Sequence, residues 1–350
     1  MKTIPFVLVF LLIPFISMAQ ANVEWIEELE IEKIEPQTKK TYWLKMIENG
    51  MSQPINVPVI VVKGKNEHPI LCLTAAIHGN ELNGIKVIQE VVNGIDLNTF
   101  NGTLVAIPGL NAISIPQHQR KYMDQEDLNR NFPGKENGNR SQQYVWQINK
   151  KILSKIDYLV DLHTASFGRV NTLYVRAALE DEKMAKMAEL QDANIILNSN
   201  GQPSTANQTS STRTMRAEAM LKGIPAITIE YGNPQVFQPE MIARGKRGIE
   251  NLMSWLNMNG KEVEPVPSPM VCKKSYWIYV EEGGYLEIKV ELNQKLNKGD
   301  LIAVMRNPFG DILNHYYCPE DGIVIGKSSN PINMNGGRII HLGILDEHRN

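Results

Sequence analysis

Between residues 50 and 260, short apolar runs alternate with amphipathic segments, and that alternation leaves few folds open to the chain. Runs 55–62, 70–76, 104–108, 158–162 and 226–229 read as strands, with a further short strand expected at 171–176. Several are continuously apolar, which suits strands covered on both faces. Segments 84–94, 141–156, 181–191 and 239–258 carry helical spacing. Another helix, capped by Ser210 or Ser211, should run to about Leu221 and stop at Gly223 and Pro225. Strands and helices in alternation imply an α/β layered sheet. Residues 20–50 are mixed and charged, and read as a lead-in to residues 51–262.

The class changes after Glu264-Pro265-Val266-Pro267-Ser268-Pro269, a linker with three alternating prolines. Short β-like runs then recur at 276–280, 285–290, 301–305, 312–317, 322–326 and 338–344, punctuated by Gly283-Gly284, Gly299-Asp300 and Asp321-Gly322. Residues 263–350 are therefore expected to form a small all-β domain.

At the other end, Lys2 precedes an apolar stretch, and Ser17-Met18-Ala19 places small residues where a signal peptidase cuts. Residues 1–19 thus read as a secretory signal, too short to remain as a membrane span. No Cys stands at the cleavage point to carry a lipid. The expectation is an exported protein, periplasmic or secreted, with no stable membrane anchor. Export would permit disulfides. Three cysteines cannot make a framework, so free thiols are expected, with Cys272–Cys318 the more conceivable bridge. The formal net charge of −2 argues against broad binding to nucleic acid or anionic lipid. The apolar content is high enough to exclude disorder over most of the length.

Four polar segments end apolar strands or follow them. His78-Gly79-Asn80-Glu81 closes the run at 70–76; an imidazole and a carboxylate three residues apart can share a metal. Asp161-Leu162-His163-Thr164 ends the run at 158–162, and strand alternation puts Asp161 and His163 on one side. His78, Glu81 and His163 together make a two-His, one-carboxylate set, with Asp161 a candidate acceptor behind an imidazole. Asp124 to Gly134 contains Asn129-Arg130, suited to a carboxylate, unless Arg130 is paired with Asp127 or Asp124. Glu230 ends the run at 226–229, where a carboxylate needs a partner or a task.

The order and spacing of these segments resemble the succinylglutamate desuccinylase/aspartoacylase branch of the zinc carboxypeptidases. The likeness extends from about residue 50 to the C-terminus. It covers His78–Glu81, Arg120 to Gly134, Asp161–Thr164, Thr228-x-Glu230-x-Gly232, Asn307–Gly310 and Pro319-x-Asp321-Gly322. The resemblance implies a zinc-carboxypeptidase-like mixed sheet between helices, followed by a small barrel-like or lipoyl-like β domain. It implies one zinc ion on His78, Glu81 and His163, with Glu230 activating its water. It implies Arg120 on the scissile carbonyl, and Asn129 and Arg130 on a substrate carboxylate. Lys121 is an alternative to Arg120, because the family's Pro before Asp124 is Met123 here. Arg169 and Arg176 are further substrate candidates, as are Arg213 and Arg216 on one helix face.

The leading functional expectation is a zinc-dependent deacylase of a small N-acyl amino acid. A metallocarboxypeptidase acting on peptides or cell-wall fragments is the alternative that export motivates. A non-catalytic zinc-containing binding module is the third. The composition allows an oligomer and does not require one.

Overall fold

A computed structural model describes residues 23–201 and 212–349. The first part contains strands β1 (Glu24–Ile26), β2 (Thr38–Glu48), β3 (Pro54–Lys63), β4 (Ile70–Ala75), β5 (Thr103–Ile107), β6 (Tyr158–His163), β7 (Arg169–Asn171), β8 (Leu173–Ala177), β9 (Ile195–Asn198) and β10 (Ala226–Tyr231). Interleaved with them are helices α1 (Asn83–Asn93), α2 (Arg140–Lys151), α3 (Glu182–Glu189), α4 (Met215–Leu221) and α5 (Pro239–Trp255). The second part contains β11 (Met270–Tyr279), β12 (Gly284–Ile288), β13 (Lys295–Leu296), β14 (Leu301–Arg306), β15 (Ile312–Tyr317), β16 (Gly322–Ser328), β17 (Ile332–Asn333) and β18 (Arg338–Leu345).

The expected α/β layering is present. A fourteen-stranded mixed sheet runs β1-β2-β3-β5-β4-β6-β10-β8-β9-β11-β18-β16-β13, with β7 paired to β16. A second, antiparallel sheet is ordered β15-β14-β12-β17. In place of a free-standing barrel, β11, β18, β16 and β13 prolong the main sheet, joined through the parallel pairing of β9 with β11.

The helices take their ends from local chemistry. Asn139 and Gln142 form a capping box at the start of α2, and Asp181 caps α3. The cap of α4 is Thr214, whose hydroxyl accepts from the Ala217 amide; the expected caps Ser210 and Ser211 lie outside the described residues, as do residues 1–19. Helices α1, α3 and α5 bury their apolar faces on one side of the sheet, against Leu73, Val160, Leu162, Ile227 and Ile229. Tyr144, Val145 and Ile148 of α2 and Met215 and Ala219 of α4 cover the other side, with Cys72, Leu159 and Ala226.

Several elements depart from expectation: β1 falls in the lead-in, and the single strand expected at 171–176 is the pair β7 and β8, parted at Thr172. Within the charged lead-in, 38–48 is an eleven-residue strand with Tyr42, Leu44 and Met46 buried, paired antiparallel with β3. Its alternation is period 2 and is masked by Lys39 and Lys45 on the outer face and by Lys40 at the exposed end of the inner one. The short apolar run Ile195-Ile196-Leu197 is strand β9. Cys72, Cys272 and Cys318 are free and buried. No described helix is long and apolar enough to cross a membrane.

Candidate active and metal site

The register of the central strands lines up a polar row. Thr74 pairs with Asp161, Asp161 with Thr228, and Thr228 with Arg176. One step further along, His163 pairs with Glu230 and Glu230 with Tyr174. Residues paired across a sheet point to the same face, so all seven project from one side. Along each strand that face begins apolar, at Cys72, Leu159 and Ala226, and turns polar at its carboxyl end, where open α/β sheets bind ligands.

His78 and Glu81 reach this row from the turn after β4. Gly79 is required there by close approach, since a Cβ would lie 2.2 Å from the Ser114 carbonyl carbon. His78 Nδ1 is 2.9 Å from Glu81 Oε1, and His163 Nδ1 is 2.8 Å from Glu81 Oε2. One candidate ligand atom from each of the three residues lies within 4.8 Å of the others, and all three side chains are buried.

The far nitrogens are held by acids. His163 Nε2 is 2.8 Å from Asp161 Oδ2, whose other oxygen accepts from Thr74 Oγ1 at 3.0 Å. His78 Nε2 is 3.1 Å from Asp127 Oδ1. Each imidazole thereby points Nε2 at an acid and Nδ1 at the shared centre, the orientation of metal-ligating histidines. Burial disfavours charge on both Glu81 and His163. Even so, the imidazoles hold Glu81 well below the usual carboxylate range, and Asp161 and Glu81 push His163 well above its ordinary value. The centre favours a positive charge, which fits a divalent ion on this donor set.

Asp127 organises the opposite wall. Its Oδ1 also accepts from the Asn129 amide at 2.9 Å, fixing the turn Leu128–Arg130, and its Oδ2 accepts from Arg120 Nη2 at 2.9 Å. Arg120 Nη1 donates to Glu81 Oε1 at 3.0 Å and also contacts the Ser166 hydroxyl. Ser166 in turn donates to Glu81 Oε1 at 2.7 Å. Arg120, not the exposed Lys121, is the residue whose side chain reaches this centre. Asp127 is thus engaged by Arg120 and His78. Arg130 is exposed, with Nη1 on the Asn129 carbonyl at 2.7 Å. Asn129 Oδ1 accepts from the Met215 amide at 2.7 Å, and its Nδ2 lies 3.4 Å from His163 Nε2.

Glu230 is half-buried beside this centre and accepts from Asn171 Nδ2 at 3.3 Å. Burial and then the Glu81 charge push its carboxyl up, against the lowering effect of His163, Arg176 and Arg169. Arg176 Nη2 donates to Tyr174 Oη at 2.7 Å. Arg216 is buried on Ser199, with its pKa pushed down to about 10 by burial and by Arg176, whereas Arg213 pairs with Glu218 at 2.8 Å. Arg169 stands apart from these, over the ring of Trp277.

The profile of the succinylglutamate desuccinylase/aspartoacylase catalytic domain matches residues 67–256, more than half of the chain. The chain belongs to this family. The N-alpha-acetyl-L-2,4-diaminobutyric acid deacetylase of Halomonas elongata is 25% identical over 304 residues, covering 82% of this chain and 84% of that enzyme. Among solved structures, the product-bound ectoine utilization protein EutE of Ruegeria pomeroyi superposes with a TM-score of 0.78 at 20% identity, covering 87% of this chain and 95% of that one. A succinylglutamate desuccinylase from Silicibacter sp. gives the same TM-score and identity over 90% and 98%. The fold is therefore shared across nearly the whole length, β11 to β18 included.

Ser166, Asn171, Tyr174, Trp277 and His341 were not expected at the site from sequence. Ser166 follows the Asp-Leu-His-Thr segment closely enough to have been suspected. Asn171 stands two residues beyond the substrate candidate Arg169, and the other three carry no local signal.

Proposed function

We propose that this chain is an exported zinc-dependent hydrolase that removes the acyl group from a small N-acyl amino acid. The observation that carries the reading is the convergence of His78 Nδ1, Glu81 and His163 Nδ1, with Glu230 and Arg120 beside them. A divalent ion held there would lower the pKa of a coordinated water toward neutrality and polarise a carbonyl oxygen. Zinc suits two imidazoles and one carboxylate with an open position.

The chain's own residues supply the rest. Glu230, its carboxyl pushed up by burial and by the Glu81 charge, takes a proton from the attacking water and returns it to the leaving amine. Arg120 donates to the oxygen that gains charge as the amide carbon becomes tetrahedral. Its guanidinium is already anchored on Asp127, so little reorganisation is needed. Asn129 and Arg130 hold the free carboxylate of the amino acid. Asp161 and Asp127 keep each imidazole in one tautomer. The activity of the Halomonas deacetylase supports a small N-acyl amino acid as substrate. The pattern of residues 1–19 supports export, with the catalytic part at 51–262 and the β part at 263–350.

The test is amine release from N-acetyl and N-succinyl amino acids and from short peptides, with and without a chelator. Chelator-sensitive release from the acyl set is expected, and Glu230→Gln should lower kcat by about 10²–10⁴-fold while zinc remains bound. Release from peptides alone would make the chain a carboxypeptidase. Full function in Glu230→Gln would make it a binding module.

A further inference from the structure

One guanidinium spans the gap between the metal ligands and the wall of the site. Arg120 Nη2 donates to Asp127 Oδ2 at 2.9 Å. Arg120 Nη1 lies 3.0 Å from Glu81 Oε1 and 3.2 Å from His78 Nδ1, and it touches the Ser166 hydroxyl. Glu81 Oε1 and His78 Nδ1 are themselves 2.9 Å apart. One nitrogen of the cation thus rests on two ligand residues of the metal set, while the other is tied to an acid behind them. That acid also holds a ligand, since Asp127 Oδ1 is 3.1 Å from His78 Nε2.

Counting lone pairs shows what this contact excludes. An imidazole nitrogen has one lone pair at most, so His78 Nδ1 cannot receive Arg120 Nη1 and bind an ion together. A carboxylate oxygen has two, and those of Glu81 Oε1 are met by Arg120 and by Ser166, which donates at 2.7 Å. Glu81 Oε2 faces His163 Nδ1 at 2.8 Å and the Thr164 amide at 3.4 Å. His78 therefore cannot ligate until Nη1 withdraws, and Glu81 cannot ligate through Oε1 until a donor leaves it. A guanidinium and a divalent ion this close would also repel, more strongly in a buried centre than in water. The Arg120 side chain is 30% exposed, against 2% for Glu81 and 3% for His78, so Arg120 is the partner with room to move.

We propose that Arg120 Nη1 and a divalent ion compete for His78 and Glu81, and that entry of the ion turns Nη1 out about the fixed contact of Nη2 with Asp127. The proposal rests on the reading of His78, Glu81 and His163 as metal ligands. It makes loading of the centre and release of the carbonyl-binding donor one event. Until the ion enters, the guanidinium satisfies the acceptors that the ion will take, and it is not available to a substrate oxygen. Once turned out, Nη1 keeps its anchor through Nη2 and faces the substrate with a free hydrogen. Asp127 is the pivot of this exchange, because its two oxygens hold the moving arginine and a stationary ligand.

The test uses the full chain, stripped with a chelator and reloaded with zinc, and it reads binding instead of turnover. Competition with a chromogenic chelator should give Arg120→Ala a zinc dissociation constant about tenfold below that of the unsubstituted chain. Arg130→Ala is the control. It removes a neighbouring positive charge whose Nη1 rests on the Asn129 carbonyl, and it should change zinc affinity less than about threefold. Crystal structures of the two forms should show Nη1 on Glu81 in the stripped protein and away from Glu81 and His78 in the loaded one, with Nη2 on Asp127 in both. Unchanged or weaker zinc binding in Arg120→Ala would overturn the proposal. Equal tightening in Arg130→Ala would do the same, as would an Nη1 that keeps both contacts beside bound zinc. Each of those results leaves the metal reading standing. Zinc binding by neither the unsubstituted chain nor Arg120→Ala would remove the metal reading, and the proposal with it.

Discussion

Asp161 is fully buried, and its two oxygens are divided between Thr74 and His163. A buried carboxylate without partners would be strongly unfavourable, so this pairing is what lets the charge remain behind the ligand. Asp161→Asn keeps the shape and removes the charge that fixes the His163 tautomer. It should weaken metal affinity about 10–100-fold, measured by competition with a chromogenic chelator, with little change in far-UV dichroism. Unchanged affinity would mean that Asp161 only fills space. At this scale much of the centre was legible. His78, Glu81, His163 and Glu230 each end or follow an apolar run, where a polar side chain is conspicuous. The contacts of Asn171, Trp277 and His341 were not, because they depend on pairings between strands far apart in the sequence.

Strands β7 and β16 show how such a pairing acts on the chemistry. Asn171 pairs with Gly326, and a Cβ on Gly326 would lie 2.4 Å from Asn171 Oδ1 and 3.0 Å from the Val170 carbonyl oxygen. The same Asn171 donates to Glu230. Gly326→Ala should therefore push the Asn171 amide off Glu230. Loss of one hydrogen bond to a charged group is worth about 1.5–3 kcal/mol at most, so kcat should fall several-fold or more while the melting temperature moves little. Equal effects on kcat and stability would point to general loosening of the strand. Strand β18 carries a second consequence. Burial, then the charges of Arg176, Arg169 and Arg338, hold His341 well below the ordinary histidine value; Tyr174, Trp277 and Ser275 complete its surroundings. In the unfolded chain His341 takes a proton as pH falls through about 6.5, and in the fold it does not. Stability should therefore be independent of this group above that pH. Below it, stability should decline by up to about 1.4 kcal/mol per pH unit. Denaturant melts from pH 7.5 to 5 should show a shallower decline in His341→Gln. Parallel curves would refute the assignment.

The sequence divides at Pro265–Pro269, but the main sheet runs past that point without a break. Strand β9 pairs with β11, and the seam is packed by Tyr174, Ile195 and Leu197 from one part and Cys272, Ile323 and Ile325 from the other. Hydropathy patterns give the period of each strand and not its neighbour, which is why the proline linker reads as a boundary while the hydrogen bonds cross it. Removing residues 263–350 would strip this cover and leave β9 as an open edge. Re-exposing Tyr174, Ile195 and Leu197 costs on the order of 5 kcal/mol at about 1.5–3 kcal/mol each. That matches the lower end of the net stability of a whole domain, about 5–15 kcal/mol. The shortened chain should therefore fail to fold or should aggregate, and the full chain should unfold in one transition followed alike by near-UV dichroism and by metal release. A soluble fragment ending at residue 262 that binds zinc and keeps its near-UV signal would show that the seam is dispensable. Loss of activity in such a fragment with zinc still bound would make β11 to β18 part of the scaffold that holds Asn171 on Glu230 through the pairing of β7 with β16.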